Sequence, residues 1–310
     1  MDISKTFLHE SYNQEDLCKL LQNLFKNVEL SESSKNQYST KISQWVSYLP
    51  TEKTLYNLIH NPEQSLKILE TTGKIKHSPS NHHCYLSATC AFIKFILDDY
   101  PLLKEWKVLE RKNSEPLVAH YDLNEPTERQ KTKIMSYDEI NTIRKTLEKG
   151  SLERLLLSFY TLMEPIRADY YATEIITDPT KESTEENYII LTPTQAQLVV
   201  RDFKTKHTYT KIENILPDEL KQELIESLEK YPRNYVFVMD DKKTPFKRKL
   251  FSNWACRALT RVLKHGMTLT VLRHIYITNK IALKATPKEL VDIAKKMGHT
   301  RVCQRTYEWV

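Results

Sequence analysis

Apolar residues recur at helical spacing through the first third of this 310-residue chain, and that pattern stops between Arg111 and Lys133. The interruption constrains the fold more than any other feature, because it separates a stretch with one kind of periodicity from a stretch with two. Over residues 10–110 the period is helical throughout. Leu17, Leu20, Leu21, Leu24 and Phe25 mark a helix from Glu15 to Val28. Ser31 to Ser34 then supply cap chemistry for a helix through Tyr38, Ile42, Trp45 and Val46, ended at Pro50. Leu55 to Ile59, Pro62 to Leu69 and Tyr85 to Leu97 complete the series, with Pro101 as its stop. From Arg111 onward Asn113, Ser114, Pro116, Asn124 and Pro126 replace the apolar residues, the composition of a linker. A chain of this length exceeds one ordinary core. The expected organisation is a helical domain over 1–112, a linker over 113–133 and a second domain over 134–310.

The second domain mixes periods. Ser136 and Glu139 form a capping-box pair ahead of Ile140, Ile143 and Leu147, and Leu152 to Met163 is an apolar helix. Tyr188 to Leu191, Ala196 to Phe203, Tyr209 to Ile212 and Tyr235 to Val238 have strand character, with Lys204, Thr205, Lys206 and His207 at a turn. Helices follow from Pro217 to Tyr231 and from Leu250 to Leu263, then over 269–283 and 290–297. The fold class is therefore mainly α with a small β-sheet: an all-helical N-terminal domain and a mixed α/β C-terminal one.

Composition excludes several function classes. Four glycines cannot furnish a Gly-rich phosphate loop of the P-loop or dinucleotide type. Five cysteines, an odd number with no C-x-x-C pair, point to reduced thiols and an intracellular setting. His82, His83, Cys84 and Cys90 lack a second ligand pair at zinc spacing, so no metal is expected. No apolar run reaches membrane-spanning length, and no membrane partner is expected. Net charge is +6, and it is uneven. Residues 1–112 hold 14 basic and 13 acidic side chains, leaving 32 against 27 for the remainder. That excess suits a polyanionic partner.

The last forty residues carry the chemistry. Arg273 and His274 follow Thr270 on an apolar helical run, His299 follows Gly298, and Tyr307 lies eight positions later. Far upstream, Arg167 and Asp169 stand within Pro165 to Tyr170, after the apolar helix. Two arginines, a histidine and a late tyrosine in this order resemble the tyrosine recombinases, the phage-integrase family. In that family the late tyrosine attacks DNA and forms a 3′-phosphotyrosyl bond. Arginine suits the transition state because its planar fork pairs two phosphate oxygens and stays charged.

The resemblance implies that 1–112 is a core-binding domain that clamps DNA and 134–310 a catalytic domain. Tyr307 would be the nucleophile, Arg167 and Arg273 the phosphate clamps, and His299 a donor to the scissile phosphate. Lys204 would protonate the leaving oxygen, with Lys206 as the alternative. Asp169 would orient an arginine, and His274 would pack or hydrogen-bond in support. Three departures are visible. Thr270 stands where a proton-handling His or Lys is usual, Asp169 follows its arginine by two residues instead of three, and Tyr307 follows His299 by eight instead of nine. The second is a form associated with integrase relatives of eukaryotic DNA viruses and their satellite elements, which implies a nucleus or viral factory; otherwise the setting is cytoplasm or nucleoid.

The expected partner is double-stranded DNA, bound by a tetramer, with no cofactor. Lys247, Arg248, Lys249, Arg257 and Arg261, with Lys242 and Lys243, are candidates for backbone contacts. Three alternatives stay open at this point. One is a type IB topoisomerase-like or telomere-resolving enzyme with a similar constellation. Another is a DNA-binding protein of the same fold that has lost turnover. The third is a helical scaffold with no nucleic-acid role, whose binding would lack the steep salt dependence of phosphate contacts.

Overall fold

The computed structural model describes residues 5–50, 52–72, 79–178, 180, 183, 185–206, 209–239 and 243–309. His207 and Lys242 lie outside the described residues. The chain divides into two compact units, Met1–Leu123 and Asn124–Val310.

The first unit is helical: α1 (Gln14–Phe25), α2 (Glu32–Tyr48), α3 (Leu55–His60), α4 (Pro62–Thr71), α5 (Pro79–Phe92) and α6 (Tyr100–Asp122). Side-chain caps start three of these helices, at Ser31 as the sequence places it and also at Asn13 and Thr54. Asn13 accepts from the Asp16 N–H, Ser31 from Ser34 and Thr54 from Asn57. The core centres on two indoles. Trp45 and Trp106 meet edge to face at 5.6 Å and 88°, and each donates its N–H to a carbonyl, of Ser65 and Ile59 respectively. Burying roughly 200 Å² of indole at ~25 cal/mol/Å² contributes on the order of 5 kcal/mol per ring as an upper bound.

Trp106 belongs to a helix the sequence reading lacked. Pro101 begins α6 and does not end its predecessor, since proline suits a first turn where no N–H is needed. A π-helical turn, Ile93–Leu97, and Asp98 at φ 51° make the break. The helix then runs through Pro116 into the expected linker. Beyond Glu110 its described side chains are half-buried at most, so no apolar stripe betrays it. The expected linker at 113–133 is thus mostly helix, with the break between units after Leu123.

The second unit opens with α7 (Glu128–Lys131), α8 (Tyr137–Thr146) and α9 (Leu152–Thr161). A four-stranded sheet follows: β1 (Glu174–Ile176), β2 (Asn187–Leu191), β3 (Ala196–Val200) and β4 (Ile212–Ile215), in that spatial order. β1 pairs parallel to β2, while β2, β3 and β4 form an antiparallel meander with Ile189 opposite Leu198 and Val200 opposite Ile212. Then come α10 (Asp218–Lys230), α11 (Arg248–Leu263), α12 (Leu269–Ala282), α13 (Pro287–Lys296) and the short α14 (Arg301–Arg305). The strand expected over 235–238 is reduced to isolated bridges, Tyr235 to Glu174 and Val238 to Pro245. The last strand begins at Ile212, where the expectation had it end.

Helix α9 is the hub. Leu155, Leu156, Leu157, Phe159 and Tyr160 are all buried in one core with Ile189, Leu198, Leu220, Phe251 and Leu272. A charged knot sits beside it. Arg144 (α8) and Arg154 (α9) converge on Glu223 (α10), with Nη1 of Arg144 at 3.0 Å and Nη2 of Arg154 at 2.7 Å from Oε1. Two guanidiniums sharing one buried carboxylate fix the register of three helices, and neither arginine is free.

Among the described residues no helix is long and apolar enough to cross a membrane. No group of three metal-ligating side chains forms there, at His82 to Cys90 or elsewhere. All five cysteines are free thiols.

Candidate active site

Helix α12 carries the centre of the site. Thr268 caps it by accepting from the Val271 N–H, and its apolar face seats Arg273 inside the core at 1% exposure. The guanidinium has three partners in three directions. Nε donates to the Pro165 carbonyl at 3.1 Å, Nη1 to the Tyr307 hydroxyl at 2.8 Å, and Nη2 to Nδ1 of His299 at 3.0 Å. None is a carboxylate. Burial pushes this guanidinium down from its ordinary value; Tyr307 opposes that shift and the Arg167 charge adds to it. A buried cation matched only by neutral groups is costly unless an anion completes it.

His299 reaches its place through the end of α13. Thr286 and Glu289 form a reciprocal capping box at the start of that helix. At its end Gly298 takes φ +72°, with its N–H on the Lys295 carbonyl and the His299 N–H on that of Ala294. This is the Schellman pattern, which requires a left-handed residue. A Cβ on Gly298 would also lie 2.6 Å from Cδ1 of Ile212.

The turn thus aims His299 at Arg273, with its ring parallel to that of Tyr307 at 5.4 Å and 6°. Arginine can only donate, so Nδ1 of His299 accepts and the ring proton of the neutral form sits on Nε2. Burial, with the charges of Arg273 and Arg167, holds this imidazole at about 3, so it is neutral at physiological pH. Nε2 is buried and has no partner among the described residues. It is a donor without an acceptor.

Arg167 is held by its backbone. Buried Tyr160 donates to its carbonyl at 2.7 Å, and Tyr170 is buried beneath the same loop. Its guanidinium makes no hydrogen bond or ion pair among the described residues, yet its charge acts on His299, Arg273 and Asp169. Asp169, expected from sequence to orient an arginine, has Arg248 as its partner and not the nearby Arg167. It pairs with Arg248 at 2.7 Å, at an angle outside hydrogen-bond geometry that leaves Oδ1 formally unbonded. Burial raises the Asp169 carboxyl, while Arg248, Arg167 and Arg273 oppose the shift.

Lys204 lies on the turn after β3. Its neighbour Thr205 donates to the Gly298 carbonyl at 2.6 Å, and buried Phe203 packs beside Gly298, so this turn docks next to His299. Lys204 is exposed and without a partner among the described residues, whereas Lys206 is paired with Asp202 at 3.1 Å. The geometry thus separates the two lysines. Thr270 is exposed on the first turn of α12 and makes no hydrogen bond among the described residues. Nδ1 of His274 faces the Tyr307 carbonyl at 3.1 Å. Of the basic residues proposed for backbone contact, Lys247, Lys249 and Arg257 are exposed, Arg248 is engaged by Asp169, and Arg261 by Glu153.

Sequence reasoning missed Asn187, which knits these pieces together. At 3% exposure it donates to the carbonyls of Asp169 and Asp202 and accepts from the N–H groups of Arg201 and Asp202, at 2.9–3.1 Å. It thereby locks the Arg167 loop to the lysine turn. Trp309, stacked on His274, was also missed. Neither residue stands in a motif, and only its contacts reveal it.

No protein-family model matches the chain, and no curated protein matches it in sequence. Among solved structures, XerA recombinase aligns over 95% of this chain and 94% of its own, at 14% identity and a TM-score of 0.43. The Tn1549 transposon integrase, solved in complex with transposon right-end DNA, aligns over 94% of each chain at 12% identity and a TM-score of 0.57. On the second of these likenesses, the chain has the tyrosine-recombinase fold.

Proposed function

We propose that this protein is a DNA recombinase or integrase that breaks and rejoins strands through Tyr307. The observation that carries this reading is the unfilled donor of His299, buried beside the buried Arg273 and within the field of the unpaired Arg167. Two guanidinium charges acting on one buried N–H suit the non-bridging oxygens of a phosphodiester, where charge grows in the transition state. The phenol lies against the same cluster, 2.8 Å from Arg273.

In the first step Tyr307 Oη gives its proton to solvent water and attacks phosphorus. The Oη–P bond forms, the P–O5′ bond breaks, and the 3′-phosphate stays on the enzyme. Arg167 and Arg273 hold the non-bridging oxygens, and Nε2 of His299 donates to one of them. Lys204 gives its proton to the departing O5′. In the second step the 5′-hydroxyl of another strand gives its proton to the now neutral Lys204 and attacks the phosphotyrosine; the P–O5′ bond forms, the P–Oη bond breaks, and the Tyr307 phenolate takes a proton back from solvent water. Bond energy is conserved, so joining needs no nucleotide. Exchange between two duplexes asks for four active sites, hence a tetramer on DNA. Lys247, Lys249 and Arg257 contribute contacts to the phosphate backbone.

The test uses duplexes nicked beside the cleaved bond, recovered from a random pool by binding to the protein. Loss of the short fragment traps the covalent form. Wild type is expected to yield an adduct that survives denaturation, and Tyr307→Phe to bind the same duplexes without one. Binding by both proteins with no adduct from either would sink the catalytic reading and leave a DNA-binding module.

A further inference from the structure

The chemistry proposed above moves Tyr307 Oη from Arg273 to phosphorus, so the backbone of Tyr307 must be held while its side chain turns. The five residues of α14 hold it weakly, through one backbone bond from the Tyr307 N–H to the Gln304 carbonyl at 2.8 Å. Stronger anchors come from residues with no part in the chemistry.

The indole of Trp309 lies flat on the imidazole of His274, 4.3 Å between centroids and 7° between planes. The backbone N–H of Trp309 donates to Thr278 Oγ1 at 3.1 Å, one helical turn further along α12. Between these two contacts, the Tyr307 carbonyl faces Nδ1 of His274 at 3.1 Å. A carbonyl oxygen only accepts, so Nδ1 carries a proton and donates. Glu308 pairs with Arg301 on the other side.

Arg273 and His274 are adjacent on α12. One turn of that helix therefore grips the tyrosine twice, at the phenol oxygen through Arg273 and at the backbone through His274. The imidazole of His274 is buried at 8% exposure, and the indole covers one of its faces. The Tyr307 ring, 4.8 Å away, is tilted by 44° to the imidazole, so of these two ring neighbours only the indole lies flat against the plane on which the bond to Tyr307 depends.

We infer that Trp309 is a positioning residue for the nucleophile: stacked on His274, it sets the imidazole that holds the Tyr307 backbone. This inference rests on the reading of Tyr307 as the nucleophile. It assigns to Trp309 an effect on the rate of attack and none on DNA binding.

The test compares W309A, W309L and W309F with wild type on the nicked duplexes. Single-turnover adduct formation and duplex affinity are measured separately, alongside hydrogen exchange of the amides from Arg305 to Trp309. W309L keeps apolar volume but removes the stacked plane, so it separates stacking from filling of space. W309A and W309L are expected to slow adduct formation ~10–100-fold, the range a small misplacement of a reacting group produces, with affinity unchanged. W309F, which can still stack, is expected to recover most of the rate. Exchange at Tyr307 and Glu308 should quicken in W309A and W309L alone.

Equal rates in W309L and W309F, or a loss of affinity parallel to the loss of rate, would overturn the inference. Should wild type form no adduct, the catalytic reading fails by itself. The exchange measurement still decides the clamp, because unchanged exchange in W309L refutes it.

Discussion

Two imidazoles packed around Arg273 stay neutral in the folded protein, and that makes stability depend on pH in a calculable way. Burial, with the Arg273 and Arg167 charges, holds His299 at about 3. Burial holds His274 at about 4, with Arg273 contributing and the hydrogen bond to Tyr307 opposing. In the unfolded chain both titrate near ~6.5. As pH falls below that value, the unfolded chain takes up two protons that the folded one refuses. Unfolding free energy therefore rises with pH across the window from about 4 to about 6.5 and is flat above it.

One pH unit corresponds to about 1.4 kcal/mol per group, so at pH 5 each imidazole has removed about 2 kcal/mol and the pair about 4 kcal/mol. Both side chains are nearly excluded from solvent, at 8% and 1% exposure, so screening subtracts little. The sum holds as long as both native values lie well below 5. The assay is native-state hydrogen exchange of the α12 amides at pH 7.5 and pH 5, corrected for intrinsic rates, in wild type and in the double variant His274→Gln, His299→Gln. The wild-type opening free energy is expected to fall by about 4 kcal/mol more than that of the variant. Equal falls would refute the argument, because they would mean that neither imidazole is held neutral by its surroundings.

Other predictions address single contacts. Lys204→Ala is expected to slow adduct formation ~10²–10⁴-fold on ordinary DNA, and a 5′-bridging phosphorothiolate should restore it, since a thiolate leaves without a proton. Lys206→Ala should do neither, and rescue of Lys206→Ala in its place would exchange the two roles. Glu223→Gln strips the Arg144 and Arg154 guanidiniums of their shared carboxylate and should cost about 3–5 kcal/mol by denaturant unfolding. A loss under about 1 kcal/mol would show the pair to be solvated. Gly298→Ala meets Ile212 and a strained φ. It should slow adduct formation far more than it weakens DNA binding, because the turn it disturbs aims His299; an unchanged rate would show that aim to be set elsewhere.

The parts of this molecule legible in its sequence are those with a buried stripe or a chemical motif. Helices α1 and α2 show their apolar faces at the right period, and Arg167, Arg273, His299 and Tyr307 stand out by order and spacing. Three of these four meet directly in space, and the fourth acts on Arg273 and His299 by its charge. Helix α6 was invisible past Glu110 because a helix with no buried face has no hydrophobic period.

Pairing of charges was equally hidden. Asp169 lies two residues from Arg167 but pairs with Arg248, seventy-nine positions away, because the loop aims its carboxylate at the start of α11. Asn187 joins two segments that lie 14 or more residues away on either side, and no local pattern announces a side chain whose role is to satisfy distant backbone groups. Sequence placed Lys204 ahead of Lys206 but could not show that Asp202 pairs with the second of them.

The measurement that bears most directly on the cluster is a structure of the protein with a duplex selected by binding, in the Tyr307→Phe form so that no strand is cut. The account predicts a backbone phosphate with non-bridging oxygens within about 3 Å of His299 Nε2 and of the Arg167 and Arg273 guanidiniums. A duplex that tracks elsewhere, with Nε2 of His299 still buried and unpartnered and Arg167 facing solvent, would contradict it.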